Sequence, residues 1–483
     1  MADAFLSPAQ GFGVIAGYGV DSFALTRLLA WQKTTDKSQF LLADRNLGTW
    51  ESALSVAATW IWAPALFVAA EKAYTQGFAG VFWFTVPNVA CLIIFAHFAA
   101  RIRHLFPDGF TLSHYIRTRY SRRVQGLYLF QLSGLAACSF AVQLLAGGKV
   151  LSFLTGVPFG WITVILALMA LSYSLLSGLK ASAVTDCAQM VIILAVSLTV
   201  VPWAVYKAGG LQSIVAGMGG HTGDFASLFA GGGPSVAWRF GIPVTIGLLA
   251  GPFGDQSFWQ RAFATKKACV RPAFIRGALI FAIVPITLSV LGFIAAGKGW
   301  APSDTGLVNL EAVKRLLPSW VMLPVVFMLL SGLVSTLDSN LCAFSSLAGH
   351  DFLGGGEEHD GAISSKKIVG AARWGMLALA VVGVGIANIP SLKILYLFLF
   401  YGTLRASTLL PTVLTMSVKW VSERGMFCGI LCAILIGLPV SAYGNFTRQD
   451  PWVVAGAVLT ASISGIVVLM LRDRSRGSGG VSD

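Results

Sequence analysis

GLVSTLDSNLCAFSSLAGHDF, residues 332–352, decides how this chain is read. It follows the apolar run VMLPVVFMLLS, the opening of a membrane-crossing helix, and then sets Ser335, Thr336, Asp338, Ser339 and Asn340 almost in a row. On a helix Ser335, Asp338, Ser339, Cys342 and Ser346 fall at i, i+3, i+4, i+7 and i+11, so they share one face, with Thr336 beside it. Serines at such depth can line helix contacts or bond back to carbonyls of their own helix. Asp338 has no such ordinary reading: a carboxylate inside the bilayer costs at least about 2.5 kcal/mol. It requires a compensating partner.

The surrounding sequence makes the membrane reading firm. The chain has 483 residues, 56% of them hydrophobic and 11% charged, with a mean hydropathy of +0.75; soluble globular domains do not have this composition. About 20 mostly apolar residues cross the hydrocarbon, and thirteen such segments can be placed: 11–30, 50–70, 77–100, 124–150, 157–176, 185–208, 240–262, 274–296, 320–348, 368–389, 394–416, 426–443 and 452–471. The expected fold class is therefore an all-α membrane protein of thirteen transmembrane helices. With the N terminus outside, 24 of the 34 Lys and Arg residues fall at the cytoplasmic ends, including six at 101–123 and five at 261–276, Arg261 among them. This matches the excess of positive charge on cytoplasmic loops and puts the C terminus inside, in a plasma (inner) membrane. The net charge of +13 thus reads as topology and points to no nucleic acid, and no protein partner is evident. Six of the seven cysteines lie within predicted spans, so no disulfide framework is expected. The first apolar segment lacks a positive n-region and reads as retained rather than cleaved.

No soluble domain fits between the spans. The longest gap, 209–239, is a Gly-rich outer loop, and the linker 354–365 is short and polar. Chemistry must happen inside the membrane, which weighs against an enzyme. Two spans are interrupted: the second holds Pro64 within TWIWAPALF, and the seventh holds GPFG at 251–254, where the helical hydrogen-bond ladder cannot be sustained. Each could be a simple proline kink. Yet the second and seventh spans are five apart. If 50–208 and 240–417 are equivalent units, each has an odd number of crossings and the two must lie in opposite orientations, flanked by 1–49, the loop 209–239 and 418–483. Paired interrupted helices of this kind point to a transport site near the midplane.

The sixth span opens ASAVTDCAQM, which buries a second acid, Asp186, beside Thr185 and Gln189. Two acids in a dry interior repel unless one is protonated or a cation lies between them. Hydroxyls, carboxylates and carbonyls suit an alkali cation far better than zinc or copper, and an unwound helix supplies free carbonyls to it.

The stretches FLLADRNLGTWESALS, SGLKASAVTDCAQ, GDQSFWQRAFA and VSTLDSNLCAFSSLAGHDF, with YGTLRASTLLP as a weaker match, resemble the sodium/solute symporter family over roughly residues 40–415. Members of that family move sugars, proline, sialic acid, pantothenate or urea. The resemblance implies a five-plus-five inverted repeat with broken helices 2 and 7, and one or two sodium ions. A main site would use the carbonyls of Ala58 and Ile61 with Ser335 and Thr336, and the carbonyl of Gly332. A second site would use Asp186, Asp338 and Ser339. Asp338 stands where the family often has Ser or Cys, so that position could hold a second sodium, a proton or neither.

In this fold the solute sits between the broken helices. The residues expected there are Trp60, Trp62, Phe253, Asp255 and Gln256, joined by Trp83, Phe84 and Asn88 of the third span. Trp60 replaces the aspartate of proline-transporting relatives, which speaks against a proline-type site. Aromatic walls favour a small organic solute with an apolar or planar part, or are ordinary packing. Arg405 inside the eleventh span either pairs with a buried acid or binds a substrate carboxylate; Asp21 has no evident role. The reading is sodium-coupled import of a small organic solute. The alternatives are an uncoupled or proton-coupled facilitator and a transporter-like sensor, the latter disfavoured by the short RDRSRGSGGVSD tail.

Overall fold

The computed structural model describes residues 7–29, 36–353, 364–390, 394–447 and 449–473; most of the predicted linker and the end of the tail lie outside the described residues. Among the described residues there is no strand, and a lone parallel bridge joins Leu47 to Thr265. The helices in chain order are α1 (Pro8–Leu29), α2 (Lys37–Leu42), α3 (Thr49–Trp60), α4 (Ala63–Leu105), α5 (Leu112–Arg119), α6 (Arg122–Thr155), α7 (Phe159–Ser177), α8 (Leu179–Lys207), α9 (Leu211–Ala216) and α10 (Gly233–Val236). They continue as α11 (Ile242–Ala250), α12 (Gln256–Ala264), α13 (Val270–Gly297), α14 (Val308–Leu316), α15 (Met322–Ser346), α16 (Ser365–Ala387), α17 (Ile394–Ser417), α18 (Glu423–Cys432), α19 (Leu438–Thr447) and α20 (Asp450–Met470). Eight helical stretches among the described residues are long and apolar enough to cross a bilayer. One of them, α4, takes in the end of the second predicted span and all of the third. It is not straight: Gly77 has φ +54° and ψ −149°, and a Cβ there would stand 2.4 Å from the Met218 carbonyl oxygen. Glycine alone tolerates both that backbone region and that approach.

Both predicted interruptions are real breaks. α3 ends at Trp60, Ile61 and Trp62 leave helical geometry at ψ 77° and ψ 165°, and α4 restarts at Ala63. Pro64 falls in the first turn of α4, where its missing N–H costs no hydrogen bond; the break precedes it. On the other segment α11 stops at Ala250 and α12 starts at Gln256. Asp255 caps α12 by accepting the Ser257 N–H at 2.9 Å, which satisfies one of the orphan donors at a helix start.

α15 is the axle of the bundle. Every residue from 328 to 343 is buried, and the helix packs against α8, α6 and α7 while α13 lies along α3 and α4. Because this stretch is buried on every side, the polar stripe of α15 faces protein rather than lipid. α12 is equally enclosed, with all nine residues buried. Arg261, counted in the charge pattern at the cytoplasmic end of the seventh predicted span, is fully buried. Its helix begins only after the second break, and that register carries residue 261 inward.

Candidate functional site

The first break and α15 meet. A helix end leaves its last carbonyls without partners, and here those of residues 58 and 61 point to different neighbours. The Ala58 carbonyl takes the Ile61 N–H at 3.1 Å. The Thr336 hydroxyl bridges the Ile61 carbonyl at 3.2 Å and the Gly332 carbonyl at 3.1 Å. The structure thus brings Ile61, Gly332 and Thr336 together, and Ala58 is joined to them through Ile61. Ser335 turns the other way and donates to Asp186 Oδ1 at 2.5 Å.

Asp186 is the centre of a second cluster. Its Oδ2 accepts from Ser55 at 2.5 Å and from Arg261 Nη2 at 2.8 Å, in an ion pair whose two side chains are 0% exposed. Arg261 also donates to Ser55 Oγ at 2.8 Å, to the Ser257 carbonyl at 3.1 Å and to Ser339 Oγ at 2.6 Å. The positive charge required between the two acids is thus supplied in part by the chain itself. Asp338 has four hydroxyl neighbours: Tyr173 donates to Oδ2 at 2.5 Å, Ser182 to Oδ1 at 2.9 Å, Thr185 to Oδ2 at 3.3 Å and Ser339 to Oδ1 at 3.4 Å. Ser339 links the clusters, since its oxygen also lies 3.0 Å from Thr59 Oγ1.

Beyond the break lies a cavity of about 90 Å³ lined by Trp62, Val244, Gly247, Tyr401, Thr403 and Arg405 among others. Arg405 stands 4.4 Å over the Tyr401 ring and pairs with Asp255 at 3.4 Å. Trp60 is buried edge-on against Phe258. Of the expected residues Trp62 and Arg405 line this cavity, Trp60 and Asp255 are not among its walls, and two more turn elsewhere. Phe253 is enclosed by the Phe95, Phe98 and Trp259 rings, and Gln256 bonds Ser346 and the Leu112 N–H. Asn88 bonds back to Phe84 within its own helix, the Trp83 ring lies against Gly241, and Asp21 is exposed on α1. The carbonyls freed at the second break are met by Gln131, which donates to Gly254 at 2.9 Å, and by the Trp259 indole, which donates to Phe253 at 2.8 Å.

Residues that the sequence reading did not assign are Ser55, Thr59, Gln131, Tyr173, Ser182, Arg261 and Tyr401. Ser52, Ser55 and Thr59 repeat at i, i+3, i+7, a stripe on the broken helix that was open to the same face argument as α15. Gln131, Tyr173 and Tyr401 carried no such signal, because their partners are remote in sequence.

Two interrupted helices gripping a buried carbonyl, hydroxyl and acid cluster define a secondary transporter by architecture. Residues 40–433 match the sodium:solute symporter family, and the chain belongs to it. The structure of a Na⁺-coupled sialic acid symporter in a substrate-bound outward-open state superposes with a TM-score of 0.78 at 16% identity, covering 95% of this chain and 96% of that one. Mhp1, a nucleobase-cation-symport-1 family transporter, gives 0.56 at 15% identity over 90% and 95%. The shared fold is the five-plus-five repeat; by its membership of the solute symporter family the chain is a multi-pass membrane transporter and not an enzyme. Among sequence relatives, probable urea active transporter 1 of Schizosaccharomyces pombe is 26% identical over 60% of this chain and 46% of its own length. Urea-proton symporter DUR3 of Oryza sativa subsp. japonica is 24% identical over 96% of this chain and 70% of its own. The sodium/pantothenate symporter of Haemophilus influenzae is 25% identical over 65% and 66%.

Proposed function

We propose that this protein is a sodium-coupled symporter of the plasma membrane that imports a small polar solute of the urea type. It would cross the membrane thirteen times with its N terminus outside, as two inverted units over 50–208 and 240–417. The contact that carries the reading is Thr336 to the Ile61 carbonyl at 3.2 Å, because it sets a hydroxyl beside a carbonyl released by the helix break. Sodium would take the place of this hydrogen bond: the Thr336 and Ser335 hydroxyls, still protonated, would rotate away from their present acceptors and offer their oxygens to the ion, with the carbonyls of Ala58, Ile61 and Gly332 as its other ligands. Binding would then favour the state in which α15 and the break are together, and a ligand drives a conformational change only by such a preference.

Solute size and chemistry follow from the cavity. Its volume of about 90 Å³ is well below the roughly 300–1,000 Å³ of drug-sized sites. Arg405 lines the cavity and its Nε is a buried donor with no protein partner, and such a group is costly unless something accepts from it. A planar solute with one carbonyl acceptor and several N–H donors would satisfy it while donating to Asp255, which pairs with Arg405. The urea transporters among the relatives agree with that chemistry.

The test is uptake of labelled urea into proteoliposomes under an inward sodium gradient, against potassium and against no gradient. Accumulation that needs sodium supports the reading; equal, merely equilibrating uptake in all arms would make the protein a facilitator. Arg405→Lys, which loses the flat guanidinium over Tyr401, should raise the solute KM about 5- to 150-fold, the equivalent of about 1–3 kcal/mol for a buried donor, while leaving the sodium concentration for half-maximal uptake in place.

A further inference from the structure

A second opening shares no wall residue with the solute cavity. It is a cleft of about 560 Å³ between α6, α15 and α16, with Gly126, Phe130, Gly134, Phe344, Phe352 and Val382 among its walls. That size falls within the roughly 300–1,000 Å³ of ligand pockets. Phe130, Phe352 and Val382 are exposed on stretches long and apolar enough to cross the bilayer, so hydrocarbon lies against them. Along α6 the wall runs from Gly126 to Ala137, about 16 Å of helix, which matches the roughly 15 Å depth of one leaflet.

The end of the cleft is positively charged. One turn before Gly126 the same face of α6 carries Arg122 and Arg123, and α16 opens with Lys366 and Lys367; all four are exposed. The two helices run in the same direction: a Cβ on Gly383 would stand 2.3 Å from the Phe140 ring, and further along both helices Asn388 and Gly148 meet at Thr163. Counted back 17 residues from the first contact, α6 reaches Arg123 and α16 reaches Lys366, so the four cations lie at one level. No Asp or Glu occurs in α6 or α16, and among the described residues no ion pair involves these cations. Asp351, beside Phe352, is buried and accepts from Thr111 at 2.8 Å. Arg and Lys stems lie along apolar surface while their charges reach the headgroup level, and basic clusters between membrane helices at the cytoplasmic side hold acidic lipid head groups.

We propose that this cleft binds an anionic phospholipid of the cytoplasmic leaflet, with an acyl chain between α6 and α16 and the phosphate held by Arg122, Arg123, Lys366 and Lys367. The proposal goes beyond the transport reading and does not depend on it. A zwitterionic lipid offers the same chains but carries its own cation to the phosphate, so it gains from the cleft and not from the four charges.

The test takes the full-length protein, stripped of lipid in detergent, and adds phosphatidylglycerol or phosphatidylcholine with identical chains. Native mass spectrometry counts the lipid retained. Wild type should retain phosphatidylglycerol in preference. Arg122→Gln with Arg123→Gln, or Lys366→Gln with Lys367→Gln, should lower that preference by at least about tenfold, since each basic residue at a membrane surface contributes a factor of about five. Gly126→Leu fills the cleft without a clash, because a Cβ there meets nothing within 4 Å, and leucine favours the helix over glycine; it should reduce retention of both lipids. Equal retention of the two lipids by wild type would overturn the proposal, and is the result expected if the linker acids Glu357, Glu358 and Asp360 satisfy these cations. A preference that survives both charge pairs, or retention unchanged in Gly126→Leu, would overturn it as well. So would a mass of two chains that falls to one in Gly126→Leu, which would assign the cleft to a second copy.

Discussion

At the scale of single residues, what matters is how each hydroxyl chooses its acceptor. Ser335 and Thr336 are neighbours on α15, yet one serves Asp186 and the other the Ile61 carbonyl, because adjacent helical positions point about 100° apart. Replacing both with Ala should raise the sodium concentration for half-maximal uptake by at least about tenfold, since hydrogen bonds to charged groups are worth about 1.5–3 kcal/mol. A sodium titration of initial uptake rates reads this directly, and an unchanged midpoint would remove these residues from the ion site. The Asp186 to Arg261 pair makes a different prediction. Removing one member strands the other's charge, at a cost of about 3–5 kcal/mol, whereas removing both together can be nearly neutral. Arg261→Met alone should therefore lower the detergent-solubilised melting temperature sharply, and adding Asp186→Leu should recover most of the loss.

Elements show how the site is held. Each broken helix has a loose carbonyl met by a side chain from another helix, Ile61 by α15 at the first break and Gly254 by α6 at the second. On one end of the bundle the segment before α3 joins the segment after α12: the Leu47 N–H bonds the Ala264 carbonyl at 3.2 Å and the Lys266 N–H bonds the Leu47 carbonyl at 3.1 Å. This ties the two broken helices together at that end. Nearby, α5 packs its His114 ring 4.4 Å from that of His350. Burial first, and then the neighbouring His350, Arg45 and Lys37, push the His114 imidazole down from 6.5 to about 3. A histidine whose native value is depressed stays neutral while the unfolded chain takes up a proton. Stability on its account is full above 6.5 and is lost as pH falls toward 3. The melting temperature should drop on acidification from neutrality to about pH 5, and His114→Gln should blunt that drop.

For the whole molecule, the proposed orientation is the open topological prediction. Cys269 lies in the short segment between α12 and α13 and is partly exposed, on the side that the charge pattern assigns to the cytoplasm. A membrane-impermeant maleimide should label it in inverted vesicles and not in right-side-out ones; the reverse would invert the topology.

The sequence by itself determined a great deal at this scale. Composition and length forced a helical membrane protein, Pro64 and GPFG marked the two interruptions, and the periodicity of 335–346 put hydroxyls and Asp338 on one buried face. These are local properties, set by hydrogen-bond geometry and by the helical repeat within a few residues. Tertiary structure decided the rest. Arg261 reads locally as one more loop cation, but the register of α12 after its break carries it to Asp186, 75 residues away in sequence. Phe253 and Gln256 sit beside the second break, yet neighbours from other helices draw them away from the cavity. Charge compensation and the direction of a side chain at a helix break depend on long-range partners, because the energy of a buried charge is fixed by whatever lies within a few ångströms of it, from anywhere in the chain.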